Sequence, residues 1–222
     1  MSFRDRSDAG KRLARALQAY ADDDPIVLAL PRGGVPVAAE VARALAAPLD
    51  LLLVRKIGVP QQPELAMGAV VDGAEPITVR NEDVIRMADI SEADFAEVRD
   101  RELKEIDRRR QLYLAGRPFP ELAGRTVIVV DDGIATGATM RAALQALRRR
   151  KPRRLVLAVP VAATSTLKSL RKMADDTVCL DSEDGFGAIG YYYADFRQIA
   201  DREVIQTMAE FTAPKPATAA PP

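Results

Sequence analysis

The sequence predicts an α/β fold, a parallel twisted sheet with helices on both faces. Short apolar runs of strand length alternate with longer segments of helical periodicity, which is typical of parallel sheets covered on both sides. The length of 222 residues and the hydrophobic fraction of 48% fit one compact domain with an aliphatic core. Strands are predicted at 26–30, 49–57, 126–130, 155–161 and 177–180. Helices are predicted at 35–47, 91–114, 140–150 and 164–174, together with a first helix capped by Ser7 or Asp8 and a last helix from about 201.

An antiparallel hairpin is predicted beside the parallel sheet, because residues 66–71 and 77–80 flank the turn-forming pair Asp72-Gly73. In open sheets of this class, ligands bind beyond the carboxyl ends of the strands. That rule selects three loops as candidate binding segments, namely 31–34, 58–66 and 131–139.

The composition excludes several kinds of site. The chain contains no histidine, so neither a serine–histidine–aspartate triad nor a histidine-based zinc site can form. Any metal must bind oxygen ligands, which indicates Mg²⁺ or a similar hard ion. The 32 basic and 32 acidic residues give a net charge of zero, so no bulk attraction to nucleic acid is expected. The single cysteine, Cys179, is interpreted as a buried small hydrophobe, with a reactive thiol as the alternative.

The ends of the chain carry no membrane signal. No apolar run reaches the roughly 18 residues that suggest a membrane span, and the charged residues 1–6 lack a following apolar signal region. We therefore expect a cytoplasmic protein with no membrane partner. Residues 213–222 contain four prolines and four alanines and are expected to be a disordered tail.

The segment 127–140 carries the strongest functional signal. Asp131 and Asp132 end a buried strand, where a carboxylate without a partner is costly. Small residues, the hydroxyls of Thr136 and Thr139, and a helix N-terminus follow, which together suit a phosphate. The loop is not a Walker A motif, because Ala138 stands where that motif has its lysine. The plainer interpretation is an ordinary strand-to-helix turn.

This segment resembles the ribose-phosphate signature of the type I phosphoribosyltransferases. The resemblance implies that Asp131 and Asp132 hold the ribose hydroxyls. It also implies substrate contacts from the following loop, at Gly133, Ala135, Thr136, Gly137, Ala138 and Thr139. Enzymes of this family that act on 6-oxopurines usually have an aspartate in place of Ala135, which argues against hypoxanthine or guanine. Ala-Thr-Gly at 135–137 is more similar to adenine phosphoribosyltransferases.

The family resemblance also gives roles to the other two loops. Arg32, Gly33 and Gly34 occupy the place of the family's pyrophosphate loop, although a plain turn is the alternative. Arg55 and Lys56 are expected to contact pyrophosphate, or else to be a solvated strand end; as neighbours on a strand they point to opposite faces. Residues 58–66 match the family's flexible lid, and Lys56 and Glu64 are candidate catalytic residues beside the two aspartates.

The whole pattern resembles a branch of predicted phosphoribosyltransferases whose acceptor is unassigned, over residues 3 to about 210. Its hallmarks are Phe3-Arg4-Asp5-Arg6, 31–38, 64–70 and the aromatic segment 186–198. We expect one phosphoribosyltransferase domain at 1–212, with a small hood built from 1–20 and 181–200. Phe186 and Tyr192 are expected to stack on the acceptor or to pack as core. Acidic residues at 181–184 favour an amino-bearing base, or else solvate a loop.

The implied function is transfer of the 5-phosphoribosyl group from 5-phosphoribosyl 1-pyrophosphate to a small nitrogenous acceptor, with release of pyrophosphate. Mg²⁺ is the expected cofactor, bound through substrate oxygens and water near Asp131 and Asp132. The alternative is a non-catalytic sensor of the same fold that binds nucleic acid through a basic face. The basic run 148–154 is interpreted instead as cations at a helix C-terminus. The oligomeric state stays open, with a homodimer considered.

Overall fold

The computed structural model describes residues 2–211. The strands are β1 (Pro25–Ala29), β2 (Leu49–Leu51), β3 (Val54–Val59), β4 (Gln62–Val71), β5 (Ile77–Arg80), β6 (Thr126–Val130), β7 (Arg154–Ala163) and β8 (Asp176–Glu183). The helices are α1 (Arg6–Ala16), α2 (Gly34–Ala44), α3 (Glu82–Met87), α4 (Glu92–Leu114), α5 (Ala138–Arg149), α6 (Thr164–Leu170) and α7 (Asp201–Ala209). Two short 3₁₀ helices span Gln18–Tyr20 and Ile189–Tyr192.

The main sheet confirms the predicted fold class. Five strands in the order β2–β1–β6–β7–β8 pair in parallel, with β6 in the centre. Along β1, Val27 and Ala29 belong to a core with α1, α2, α4 and α7, whereas Ile26 and Leu28 belong to a core with α5 and α6. Both faces of the sheet are therefore covered, and the carboxyl edge is left for a ligand.

The predicted strand 49–57 is wrong as a single element. β2 pairs with β1 in the parallel sheet, whereas β3 pairs with β4 in a separate antiparallel sheet of order β3–β4–β5. Leu52 and Leu53 connect the two strands and are fully buried. The apolar run continues through the break, so hydrophobicity gives no sign of it.

Other boundaries differ in smaller ways. Residues 58–66, expected as a loop, form the end of the β3–β4 hairpin, with its turn at Pro60 and Gln61. α1 starts earlier than predicted because the side chain of Asp5 caps it by accepting from the backbone N–H of Asp8. α3 was not predicted. The predicted hairpin around Asp72-Gly73 and the helix after Ser91 are confirmed.

A buried group of charges fixes the antiparallel sheet to the rest of the domain. We call Asp50, Asp72, Arg110, Arg117 and Arg150 the anchor cluster. Arg110 Nη1 donates to Asp72 Oδ2 at 2.5 Å, and Arg150 Nη2 donates to the Asp72 carbonyl at 3.0 Å. Arg117 Nη2 lies 3.3 Å from Asp50 Oδ2. The cluster ties the end of β4 to α4 and to the C-terminal end of α5.

The basic run 148–154 is largely engaged within the chain. Arg148 pairs with Asp175, Arg153 and Arg154 pair with Asp23, and Arg154 also pairs with Asp176. These contacts support the interpretation of the run as structural cations rather than a nucleic-acid surface.

The N-terminal segment joins the segment 181–200. Phe3 N donates to the Tyr192 carbonyl at 2.7 Å, and Ala194 N donates to the Phe3 carbonyl at 2.8 Å. Phe3, Tyr192 and Tyr193 pack with Ala9 and Val161 in a third apolar cluster above the sheet. This contact brings α1 to the carboxyl edge near β6.

Two expectations concern the ends and the membrane. Residues 213–222, expected as a disordered tail, lie outside the described residues. Within 2–211, no helix has the length and apolarity that a membrane crossing requires.

Candidate active site

The centre of the candidate site is the pair of carboxylates that follows β6. Asp132 is buried, and its backbone N–H donates to Asp131 Oδ1 at 2.9 Å. Burial is the main cause that raises the pKa of both groups; for Asp131 the neighbouring Asp132 adds to it, and that pKa is raised well above its usual range. For Asp132 an arginine opposes the rise. Burial destabilises the charged forms of these two carboxylates at the sheet edge, so they are suited to accept hydrogen bonds from a ligand.

That arginine is Arg6, the first residue of α1, to which the sequence interpretation gave no role. Its Nε donates to Asp132 Oδ2 at 2.7 Å, and its Nη1 donates to the Arg197 carbonyl at 2.9 Å. The guanidinium carbon lies 3.9 Å from the centroid of the Phe196 ring. The hydroxyl of Tyr193 donates to the Asp132 carbonyl at 2.5 Å. Arg6 stood in the Phe3-Arg4-Asp5-Arg6 hallmark, which was the only signal available for it.

The loop after β1 lies against both carboxylates. A Cβ on Gly33 would overlap the carboxylate oxygen Oδ2 of Asp132, and a Cβ on Gly34 would approach the Val130 carbonyl to 2.8 Å. Neither position therefore accepts a side chain without a shift. The peptide between Pro31 and Arg32 is cis. Arg32 Nη1 lies 3.3 Å from Asp201 Oδ1, where both side chains are substantially exposed.

The loop after the carboxylates is held at both ends. Ile134 N donates to the Val161 carbonyl at 2.9 Å, and the Thr166 hydroxyl donates to the Ala135 carbonyl at 2.7 Å. Gly137 caps α5 with φ +73°, a conformation that favours glycine. Thr136, Ala138 and Thr139 are exposed. The first N–H groups of α5 lack helical partners, so the loop presents an anion site at a helix N-terminus.

A cavity of about 520 Å³ lies between this loop and the hairpin sheet. Thr136 and Thr139 line one side, and Lys56 and Arg80 line the other. Lys56 also lines a cavity between the hairpin and α4, as does Arg55, whose Nη2 lies 2.7 Å from Oε2 of the buried Glu102 of α4. The two adjacent cations of β3 thus share that cavity, and Lys56 in addition reaches the cavity beside Thr136 and Thr139.

Glu64 is placed apart from the other candidate catalytic residues. Its side chain is 99% exposed and accepts from Lys56 Nζ at 3.1 Å across the hairpin. It lines a different cavity, between the hairpin and α4, of about 440 Å³. The structure brings together Asp131, Asp132 and the loops that flank them, but it does not bring Glu64 to them.

The two aromatic residues expected at the acceptor differ in exposure. Tyr192 is 7% exposed, its hydroxyl donates to Glu183 Oε2 at 2.5 Å, and its ring stacks on Phe186 with centroids 4.9 Å apart. Burial and the Phe186 ring leave little of the Tyr192 ring open, which favours the alternative that Tyr192 packs as core. Phe196 and Gln198, both within the aromatic hallmark 186–198, line the cavity next to Asp132.

The comparisons with known proteins agree with this fold. The chain belongs to the phosphoribosyl transferase domain family, whose model matches residues 5–195. Two proteins of Mycobacterium tuberculosis, from strains CDC 1551 / Oshkosh and ATCC 25618 / H37Rv, provisionally named phosphoribosyl transferases, are each 45% identical to it over 203 residues. The alignments cover 91% of this chain and 45% of each relative, so the chain spans about half the length of the curated relatives it matches.

A solved structure is similar over nearly the whole chain. The crystal structure of TT1426 from Thermus thermophilus has a TM-score of 0.80 and 44% identity, covering 96% of this chain and 100% of that one. The expectations of family and fold are thus confirmed, while the roles of individual site residues remain predictions.

Proposed function

We propose that this chain transfers the 5-phosphoribosyl group from 5-phosphoribosyl 1-pyrophosphate to a nitrogenous acceptor. The observation that carries the proposal is the contact of three elements at one sheet edge: two carboxylates after β6, the glycines after β1, and the helix N-terminus of α5. The carboxylates match a ribose diol, the glycines admit a close ligand, and the helix N-terminus matches a 5-phosphate.

The reaction needs little from the protein besides binding and charge. A nitrogen of the acceptor forms a bond to C1 of the ribose while the C1–O bond to pyrophosphate breaks. Pyrophosphate leaves with the bonding electron pair, and any proton on the attacking nitrogen passes to solvent. Asp131 and Asp132 would hold the ribose and stabilise the positive charge that develops on it. Arg32 and Lys56 would bind the leaving pyrophosphate.

The acidic side chains of the site limit how Mg²⁺ could bind. Within residues 2–211, no group of three or more acidic or cysteine side chains forms a cage for a metal. Mg²⁺ commonly takes one or two carboxylates together with substrate phosphates and waters, and the pair Asp131–Asp132 fits that mode. When bound, the ion would neutralise charge on the leaving pyrophosphate.

The test is calorimetric titration of 5-phosphoribosyl 1-pyrophosphate in the presence of Mg²⁺. The double variant Asp131→Asn/Asp132→Asn should weaken binding by about 100-fold, because charge-assisted hydrogen bonds to the ribose are lost. Asp107→Asn, on the exposed face of α4, is the matched control and should bind as the parent does. No binding at millimolar donor, or equal binding by the double variant, contradicts the proposal.

A second measurement on the parent protein distinguishes an enzyme from a non-catalytic sensor. Pyrophosphate release is measured across a panel of bases and small acceptors. Release with one acceptor supports transfer. Donor binding with no release for any acceptor, together with steeply salt-dependent binding of nucleic acid, would identify a regulator.

A further inference from the structure

A third cavity, of about 350 Å³, opens beside Asp132 on the side of the N-terminal segment. We call it the hood cavity and define it by Arg6, Arg32, Asp132, Phe196, Gln198 and Ile199. Asp132 is the proposed ribose contact and Arg32 a proposed pyrophosphate contact. A molecule in this cavity would therefore lie next to C1 of the donor, where an acceptor must be.

The charge of the hood cavity is set by two arginines. Arg6 is buried and neutralises Asp132, the only acidic side chain among the lining residues. Two of its five N–H groups are used, on Asp132 and on the Arg197 carbonyl, which leaves donors for a ligand. Arg32 has a loose, exposed partner in Asp201 at 3.3 Å, and such a contact holds a guanidinium weakly.

The remaining lining adds apolar side chains and an amide. Phe196 supports the Arg6 guanidinium from one side, and Ile199 is buried. Gln198 is exposed and supplies N–H donors and a carbonyl acceptor. Fixed hydrogen-bond donors thus outnumber free acceptors in this cavity.

The acidic residues of 181–184 do not line the hood cavity. Glu183 accepts from the Tyr192 hydroxyl, and Asp184 is exposed on the loop that follows β8. The argument that acids here select an amino-bearing base therefore has no support from the lining residues.

We infer that the hood cavity binds an anionic acceptor, specifically a nitrogen heterocycle that carries a carboxylate. This inference rests on the proposed function, whose acceptor it specifies. The carboxylate would bind the remaining N–H groups of Arg6, whose planar guanidinium matches a carboxylate in a two-point contact. Arg32 would lie between the carboxylate and pyrophosphate and donate to both. The ring nitrogen would form the new bond to C1, and the carboxylate is unchanged by the reaction.

The experiment compares matched acceptors that differ by the carboxylate. Nicotinate against nicotinamide, and orotate against uracil, are titrated by calorimetry into the protein saturated with Mg²⁺ and pyrophosphate. Pyrophosphate fills the leaving-group site without reacting, so an anion that still binds does so elsewhere. The carboxylate member of at least one pair should bind about tenfold tighter or more, as charge-assisted hydrogen bonds predict. Equal affinities in both pairs, or no binding by either acid, overturn the inference.

A variant pair tests the location. Gln198→Glu places a negative charge inside the cavity and should reduce the affinity for the acid about tenfold by like-charge repulsion. Gln206→Glu makes the same change on the exposed face of α7 and should leave the affinity unaltered. Thermal unfolding of both variants checks that each is folded. An acid that binds Gln198→Glu and the parent equally lies outside the hood cavity and contradicts the inference.

The two proposals fail in different ways. If the donor does not bind, the proposed transfer is wrong, whatever the acids do. If the donor binds and pyrophosphate is released only with neutral or amino-bearing acceptors, transfer stands and the anionic acceptor is wrong.

Discussion

The candidate site and the anchor cluster each hold two aspartates largely out of solvent, yet they balance them differently. In the anchor cluster, Asp50 and Asp72 meet three arginines, Arg110, Arg117 and Arg150. At the site, Arg6 is the one arginine that forms an ion pair with Asp131 or Asp132 among residues 2–211. In all four groups, burial raises the pKa and an arginine opposes the rise.

The difference separates a structural use of buried charge from a functional one. In the anchor cluster the arginines outnumber the aspartates, so both carboxylates have partners within the chain, and the cluster holds the hairpin to α4 and α5. An excess of carboxylate leaves the site incomplete, ready for hydroxyls or a cation from a ligand. The following predictions test that contrast, beginning with the largest expected effect.

Asp72→Asn should lower the free energy of unfolding by about 3–5 kcal/mol, because it removes the carboxylate that Arg110 contacts directly and leaves that arginine with Asp50 at 3.8 Å. Urea denaturation measures the change. The double variant Asp72→Asn/Arg110→Met should recover part of the loss, since the stranded charge is removed as well. A single variant as stable as the parent would show that the anchor cluster is not needed to hold the hairpin.

Asp132→Asn should destabilise the protein by roughly 2 kcal/mol, since Arg6 loses its carboxylate and keeps only the Arg197 carbonyl and the Phe196 ring. Arg6→Met in the same background is the control and should reduce the penalty. Chemical denaturation of the three proteins gives the coupling between the two side chains. No coupling would mean that Arg6 and Asp132 do not interact in solution.

Unlike Asp132→Asn, the substitution Asp131→Asn should stabilise the unliganded protein by about 1–2 kcal/mol. It should also reduce the affinity for 5-phosphoribosyl 1-pyrophosphate. Because the folded pKa of Asp131 is raised, the native state holds this proton at pH values where the unfolded chain has lost it. Its contribution to stability therefore falls as pH rises above the unfolded pKa of about 3.9.

The stability of the parent minus that of Asp131→Asn, measured by denaturation from pH 4 to pH 7, should consequently become more unfavourable as pH increases. Asp50 and Asp72 contribute to both proteins and cancel, whereas Asp132 interacts with Asp131, so the difference reports the pair. A pH-independent difference would place the pKa of Asp131 in its ordinary range.

Arg148→Ala should change stability by less than about 1 kcal/mol, because its pair with Asp175 is exposed on both sides. Arg150→Ala, two residues further along the same basic run, removes a contact of the anchor cluster and should cost more. Thermal unfolding of the two variants compares them directly. Equal costs would show that burial does not distinguish these arginines.

Much of the fold and the centre of the site could be read from the sequence. The strand 126–130 was predicted with the bounds that β6 has, since five consecutive β-branched residues, four of them apolar, indicate a buried parallel strand. Asp131 and Asp132 after it, and the small residues before α5, are local features of one segment. Local hydrophobicity and turn chemistry suffice for such elements because each depends on neighbours along the chain.

Other features were decided by contacts between distant residues. Arg6 and Asp132 are 126 positions apart in the sequence, and the composition of neither segment predicts their hydrogen bond. The break at Leu52 and Leu53 follows from pairing with two different sheets, while the apolar pattern stays continuous. The sequence by itself determined the parallel sheet and its carboxylate edge. Only the tertiary structure decided which charges are neutralised there, because burial and counter-charges are set by packing rather than by sequence spacing.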